Sequence, residues 1–279
     1  MSWSMRLEGV GHRYGLGGPW ILRGVDLDLR AGRLLRLQGG NGSGKSTLLR
    51  LLAGIDAPSV GRISGRPRPR GYVPERFPAA LPLTARGYLT HLGRVHGLSR
   101  RAAGRAADAW LERFGAAEYA GTRMSELSKG GSQKVAVAQA LLAGPALLVL
   151  DEAWTGLDQA ARAELDRAVA ERLAAGGAVA FVDHDPRRLA DAADAVYRVT
   201  DGTLVPGAPG RALVRIEAEG PTRAAEPPVP GTPRGWVRAA DGSVVLTVPA
   251  GDSDAVLYAL LAARPAWHIR SVRPVREAG

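Results

Sequence analysis

Residues 34–53 read LLRLQGGNGSGKSTLLRLLA, and the change of pattern halfway along decides what this chain can be. Leu34 to Gln38 is short and apolar enough for a buried strand, and Ser46 to Ala53 has the character of a helix. Between them Gly39, Gly44, Lys45 and Ser46 match G-x-x-x-x-G-K-[ST], a loop that cradles phosphate. Gly39, Gly40, Gly42 and Gly44 let the backbone turn tightly and bring its N–H groups to an anion, while the helix that follows points its positive end at the same place. Nucleotide contacts are expected from Gly39, Gly40, Asn41, Gly42, Ser43, Gly44, Lys45, Ser46 and Thr47. Lys45 is suited to the β- and γ-phosphates, and Ser46 to a magnesium ion. A ligand-free glycine turn gives no reason for the lysine and hydroxyls.

A length of 279 residues suits one large domain and one small one, and zero cysteines remove any disulfide framework. The first residues, Met1 to Arg6, lack the apolar core of a secretory signal, so a cytosolic location is expected. The longest apolar run, Val135 to Leu150, is interrupted by Gln139, Gly144 and Pro145 and falls short of the ~20 residues of a membrane span. The net charge of +10 is uneven, with +2 on residues 206–279. Arg62, Arg66, Arg68, Arg70 and Arg76 fall close together, and Arg94, Arg100, Arg101 and Arg105 follow. Such a surface suits anionic lipid or nucleic acid, but a solvated face explains it more simply, and no aromatic interleaving suggests base stacking.

Val25 to Leu29 alternates like an antiparallel strand. From Pro58 to Pro82 the chain reads as loop around one strand at Gly71-Tyr72-Val73. Residues 84–114 read as helical, with Ser99 an N-cap and Ala102, Ala106, Trp110 and Phe114 as an apolar stripe. A further helix spans about 130–143. Ala146 to Leu150 is an apolar strand ending in Asp151-Glu152. A helix with Leu165, Val169 and Leu173 then stops at Gly176-Gly177, and the strand Ala178 to Val182 ends at Asp183-His184. Polar groups at the carboxyl ends of buried strands are where open α/β sheets place ligands. After Val205, prolines punctuate strands at Leu213 to Ala218 and Val244 to Val248. A helix follows, capped near Asp252 or Ser253, with Val256, Leu257, Leu260 and Leu261 on one face, then a strand around His268 to Val275.

Hydrolysis of a nucleoside triphosphate requires a charge cradle, a metal ligand and a group that orients water. Asp151 ends its strand where a magnesium carboxylate is needed, and Glu152 beside it is suited to polarise the attacking water. Leu127-Ser128-Lys129-Gly130-Gly131, shortly before that strand, resembles the signature motif of the ATP-binding cassette (ABC) family. The resemblance covers residues 3–205. It implies that Tyr14 stacks on adenine, and that Ser128, Gly130 and Gly131 contact ATP held by a second cassette. It likewise implies that Asp158, in Gly156-Leu157-Asp158, lies in the loop at the dimer seam, and that His184 senses the γ-phosphate. Asp158 also suits a helix N-cap.

Two positions depart from the family pattern. Glu75 stands where the family has glutamine, and Gly131 where the signature has glutamine. Glu75 can still ligate magnesium, but it adds a negative charge and lacks the amide donor. The fold expected is α/β: an ABC P-loop NTPase cassette over residues 1–205, with a mixed sheet core, an antiparallel β subdomain and a helical subdomain at about 76–130. Residues 206–279 are expected to form a small C-terminal α+β appendage, similar to the accessory domain on ATPase subunits of bacterial drug-resistance exporters. That group continues into an acidic, aromatic tail, whereas this sequence stops at Gly279, so no regulatory or dimer-bracing role is expected of it.

The resemblance implies an ATPase, with ATP and Mg²⁺, that drives a small-molecule exporter as a dimer of cassettes on a separate transmembrane permease. It would sit peripherally at the cytoplasmic face of the cell membrane, and no nucleic acid partner is expected. The stretch from Glu75 to Leu92, with Phe77, Leu81, Leu83 and Tyr88, is the expected docking surface. The competing readings are a soluble ABC ATPase acting on nucleic acid or ribosomes, and a nucleotide-gated structural subunit with weak hydrolysis. The first fits poorly: there is one cassette, no sustained heptad and no cysteine.

Overall fold

The computed structural model describes residues 3–15, 17–77, 81–185, 187–190, 192–207, 213–222, 226–228, 236–239, 241–249 and 253–275. They form two compact units, Met1–Pro209 and Gly210–Gly279.

In the first unit, β1 (Ser4–Arg13) and β2 (Trp20–Arg30) alternate buried and exposed side chains and pair antiparallel, Leu7 opposite Leu27. β3 (Leu34–Gln38) then enters the phosphate loop, and α1 (Lys45–Ala53) leaves it. β4 (Val60–Ser64) completes a three-stranded sheet in the order β2-β1-β4. This strand lies inside the stretch that the sequence marks as loop; Gly61, Arg62 and Ser64 break its apolar character, so composition hides it.

The central sheet is mixed. β5 (Arg70–Val73), β6 (Leu147–Asp151), β7 (Ala178–Val182), β8 (Ala195–Thr200) and β9 (Thr203–Gly207) join β3 in the order β5-β6-β7-β3-β8-β9. All neighbours are parallel except β8 and β9. β6 and β7 are buried along their whole length, as parallel strands covered on both faces must be. β9 carries the sheet to Gly207, past the compositional change at Val205.

Between β5 and β6 the chain inserts α2 (Ala85–Val95), α3 (Arg100–Arg113), two short 3-10 turns and α4 (Lys129–Leu141). α5 (Gln159–Ala174) connects β6 to β7. Thr84, Ser99, Ser128 and Asp158 cap α2 to α5 by accepting backbone N–H bonds. The buried side of α3 is Ala103, Ala107 and Leu111, continued by Phe114, while Ala102 and Ala106 are half-exposed. In an alanine-rich helix two adjacent stripes satisfy the same period, and the larger leucine decides between them.

The second unit is a four-stranded antiparallel sheet in the order β11-β12-β10-β13, with α6 (Ser253–Ala262) between β12 and β13. Its strands are β10 (Leu213–Glu219), β11 (Trp236–Arg238), β12 (Val244–Pro249) and β13 (His268–Pro274). Val256 and Leu260 of α6 pack on Ile216, Leu246 and Trp267. Leu261, expected on that face, is 57% exposed. It sits one residue beyond Leu260, which turns it about 100° away. Asp252 lies outside the described residues.

Candidate functional site

The phosphate loop depends on backbone conformations that few residues adopt. Gly39 has φ 147 and Gly44 φ 106, and a Cβ on Gly39 would lie 2.5 Å from the Val199 carbonyl oxygen. α1 opens on Gly44 without a side-chain cap, which leaves its first N–H groups open to an external acceptor. Lys45 Nζ donates to the carbonyls of Gly39 at 3.0 Å and Gly40 at 2.9 Å. Ser43 Oγ is buried and has no hydrogen-bond partner among the described residues. Such an orphan costs about 1–3 kcal/mol unless a ligand answers it. These features fit a bound phosphate chain.

Next to the loop, Ser46 Oγ donates to Asp151 Oδ1 at 3.2 Å, and Tyr72 Oη donates to Asp151 Oδ2 at 3.3 Å. Burial raises the Asp151 carboxyl above its ordinary value. The bonds from Ser46 and Tyr72 oppose that rise, while the charges of Glu152 and Glu75 add to it. Burial also pushes the Tyr72 phenol up, with Asp151 reinforcing it, so Tyr72 stays a donor. Hard oxygens on Ser46 and Asp151 fit magnesium, which takes one or two carboxylates and completes its shell with substrate phosphates and water. Among the described residues no three His, Cys, Asp or Glu side chains could hold a metal by themselves. Glu75 is exposed and enters as a charge acting on Asp151.

Glu152 follows β6 with φ 54, and its backbone N–H donates to the Val182 carbonyl at 3.0 Å. His184, two residues past β7, places Nε2 2.7 Å from Glu152 Oε1. Tyr14 reaches α1 through its hydroxyl, 3.2 Å from Thr47 Oγ1, and its 53% exposure leaves it open to a flat ligand. Tyr14, residues 39–47, Glu75, Asp151, Glu152 and His184 thus form one group around the carboxyl ends of β3, β6 and β7.

Ser128, Gly130, Gly131 and Asp158 form a second group. Ser128 Oγ accepts from the Gly131 N–H at 3.1 Å, and a Cβ on Gly130 would stand 3.0 Å from the Gly156 carbonyl. Asp158 spends both carboxylate oxygens: Oδ1 accepts from the Ala161 N–H at 2.8 Å, and Oδ2 meets Lys134 Nζ at 2.7 Å. Lys134 and the helix N–H hold that carboxyl below its usual range. The two groups are tied together by Gln133 Nε2, which donates to the Ala153 carbonyl at 3.0 Å.

Several residues of the site escape a motif reading. Tyr72 is one. It is also reached from the helical insert, because Gln139 Nε2 of α4 donates to the Tyr72 carbonyl at 3.4 Å while Gln139 Oε1 accepts from Tyr88 Oη of α2. Arg36 is another, 3% exposed in the middle of β3, with Nη2 donating to the Asp185 carbonyl at 2.8 Å and its guanidinium over the Phe181 ring. Burial lowers its pKa, against the nearby Asp183 and Asp185. A charged residue inside an apolar strand was the available signal.

Comparisons with known proteins identify the family. The family described as "ABC transporter" matches residues 22–155. The zinc import ATP-binding protein ZnuC of Cereibacter sphaeroides is 41% identical over 197 residues, 69% of this chain and 78% of that protein. The macrolide export ATP-binding/permease protein MacB of Agrobacterium fabrum is 31% identical over 219 residues, 72% of this chain and 34% of that one. The dimeric ABC transporter cassette MJ0796 superposes with a TM-score of 0.65 at 23% identity, over 72% of this chain and 96% of that chain, a likeness of fold. A cassette fold, a phosphate loop and relatives of this closeness define the chain: it belongs to the ABC transporter family, as an ATP-binding subunit with ATPase activity. No helix among the described residues is long and apolar enough to cross a membrane.

Proposed function

We propose that this chain is the ATPase of a transporter whose membrane-spanning part is a separate subunit, and that two cassettes close over two ATP molecules to drive it. The observation that carries the reading is the juxtaposition of Ser46, Asp151, Glu152 and His184 beside the phosphate loop. In the mechanism we infer, the loop N–H groups and Lys45 take the phosphates, Ser43 Oγ gains its missing acceptor, and Tyr14 stacks on the base. Ser46 and Asp151 would hold magnesium, which would supply positive charge to neutralise the phosphates. Glu152 orients the attacking water, and His184 fixes Glu152 and meets the γ-phosphate. Ser128, Gly130 and Gly131 supply donors to the partner cassette's ATP, and Asp158 lies at the seam. Hydrolysis removes the phosphate that bridges the two cassettes.

For the direction of transport we retain efflux of a small molecule, motivated by the resemblance, read from the sequence, of residues 206–279 to an exporter's accessory domain. Import of a metal ion is the second reading, motivated by the ZnuC identity of 41%. Peripheral attachment at the cytoplasmic face follows from either.

Tagged Glu152→Gln protein, incubated with ATP and Mg²⁺ and recovered from detergent-solubilised native membranes, tests the subunit reading. A stoichiometric multi-spanning partner supports it. Recovery of nucleic acid or ribosomes instead sinks it. Cellular zinc content in a deletion strain then separates the directions: a fall supports import, whereas unchanged zinc with greater sensitivity to toxic compounds supports efflux.

A further inference from the structure

The turn that carries His184 is held from two sides by arginines. On one side Arg36, in the middle of β3, donates from Nη2 to the Asp185 carbonyl at 2.8 Å and from Nη1 to the Arg188 carbonyl at 3.4 Å. On the other, Arg188 reaches α5, where its Nη1 donates to Asp166 Oδ2 at 2.8 Å. The remaining oxygen of that carboxylate, Oδ1, accepts from Trp154 Nε1 at 2.8 Å. Asp185 follows His184 directly, and Trp154 stands two residues after Glu152. One series of hydrogen bonds therefore joins the chain beside His184 to the chain beside Glu152.

The rings repeat the connection. Arg36 places its guanidinium carbon 5.7 Å from the centre of the Phe181 ring, Phe181 meets Trp154 edge to face at 5.8 Å, and Arg188 covers Trp154 at 5.4 Å. Two cations enclose two aromatic rings, an order in which each neighbour attracts the next. Phe181, Trp154 and Arg36 are all buried. A buried guanidinium carries a desolvation cost that an apolar side chain of similar volume avoids, so stability alone gives no reason for Arg36 in a strand whose other buried residues are leucines. What guanidinium adds is several donors in one rigid plane, able to take two carbonyls of a single turn at once. His184 needs such a hold, because its side chain is 64% exposed and packing does little to place it.

We propose that Arg36 is a positioning residue for ATP hydrolysis. By holding the Asp185 and Arg188 carbonyls it sets where His184 stands, and through Arg188, Asp166 and Trp154 it keeps His184 in register with Glu152. The 2.7 Å contact between those two side chains is the quantity that this brace maintains. This rests on the reading of Glu152 as the residue that orients water and of His184 as its partner at the γ-phosphate. A displacement of about 1 Å at such a contact can lower a rate about 10²-fold.

Arg36→Met keeps an unbranched chain against Phe181 and removes every donor. In steady-state ATPase assays kcat should fall about 10- to 100-fold with KM within about twofold of wild type. In a His184→Ala background the same substitution should change kcat less than about twofold, since a misplaced histidine and a missing one are then equivalent. Arg36→Lys, which returns a donor, should recover part of the rate. Asp166→Asn, on α5, keeps an acceptor for Trp154 and weakens only the hold on Arg188. It should lower kcat about threefold, again only while His184 is present, and it carries the test if Arg36→Met does not fold. Equal losses with and without His184, a loss confined to KM, or an unchanged kcat in these variants overturns the proposal. A slow His184→Ala beside an Arg36→Met of wild-type rate overturns this proposal alone. Wild-type kcat in His184→Ala overturns the reading of His184 and this proposal together.

Discussion

His184 Nε2 lies 2.7 Å from Glu152 Oε1, joining residues that follow two adjacent parallel strands. Glu152 holds a left-handed backbone that costs a non-glycine residue about 1–2 kcal/mol. Glu152→Gln keeps the side-chain shape and removes the charge. Phosphate release should fall about 10²–10⁴-fold while ATP binding persists. Rates indistinguishable from wild type would favour the weakly hydrolysing structural subunit instead.

Tyr72 is the one donor to Asp151 that comes from β5. Tyr72→Phe keeps the ring and deletes that bond, and the chemical-denaturation midpoint should report a loss of about 1 kcal/mol. An unchanged midpoint would show that the bond contributes nothing to the fold.

Glu75 adds a charge that pushes the Asp151 pKa upward. In Glu75→Gln the acidic field at this place weakens, and Mn²⁺ binding to the nucleotide-loaded protein, read by electron paramagnetic resonance, should weaken roughly three- to tenfold. Equal or tighter binding would remove Glu75 from the metal's surroundings.

Asp158 does two jobs that mutation can separate. Asp158→Ala removes the α5 cap and should cost about 1–2 kcal/mol in thermal unfolding. Lys134→Met removes only the ion pair to the half-exposed carboxylate and should cost less than about 1 kcal/mol. Equal costs would mean that the pair, not the cap, holds the helix.

Glu164, with a side chain 7% exposed, sits between Arg113 and Arg167. Burial raises its pKa, but hydrogen bonds from Arg167 and Arg113 outweigh that and leave it below 4.5. The stability this represents is present above 4.5 and is lost as pH falls through the lowered folded value. Glu164→Gln should therefore lower stability by about 2 kcal/mol at neutral pH and flatten the loss of Tm as the solution is acidified below 4.5.

What the sequence shows of this molecule is what short range determines. Leu34 to Ser46 folds by local rules, since glycines, a buried strand and a helix start lie next to one another, and the strands ending at Asp151 and Val182 announce themselves by unbroken apolar runs. The antiparallel β subdomain was half visible: Val25 to Leu29 alternates, whereas β4 earns its place only by pairing with β1. Contacts between residues far apart in the chain left no such trace. Nothing local marks Tyr72 as a partner of Asp151, or Lys134 as a partner of Asp158, because a tyrosine on a strand and a lysine on a helix are ordinary. Arg36 and the exposed arginines of α2 and α3 were visible as charges, but only the fold separates those bonded inside from those left facing water.

Tyr88, Gln139, Tyr72 and Asp151 stand in one hydrogen-bonded series from α2 to the end of β6. Burial pushes the Tyr88 phenol up to about 12, so its proton stays in place and the series keeps its direction at any physiological pH. Three hydrogen bonds thus link the helical insert to the strand end that carries Asp151. The insert and that carboxylate therefore share one polar network through opposite ends of Tyr72, its carbonyl facing Gln139 and its phenol facing Asp151.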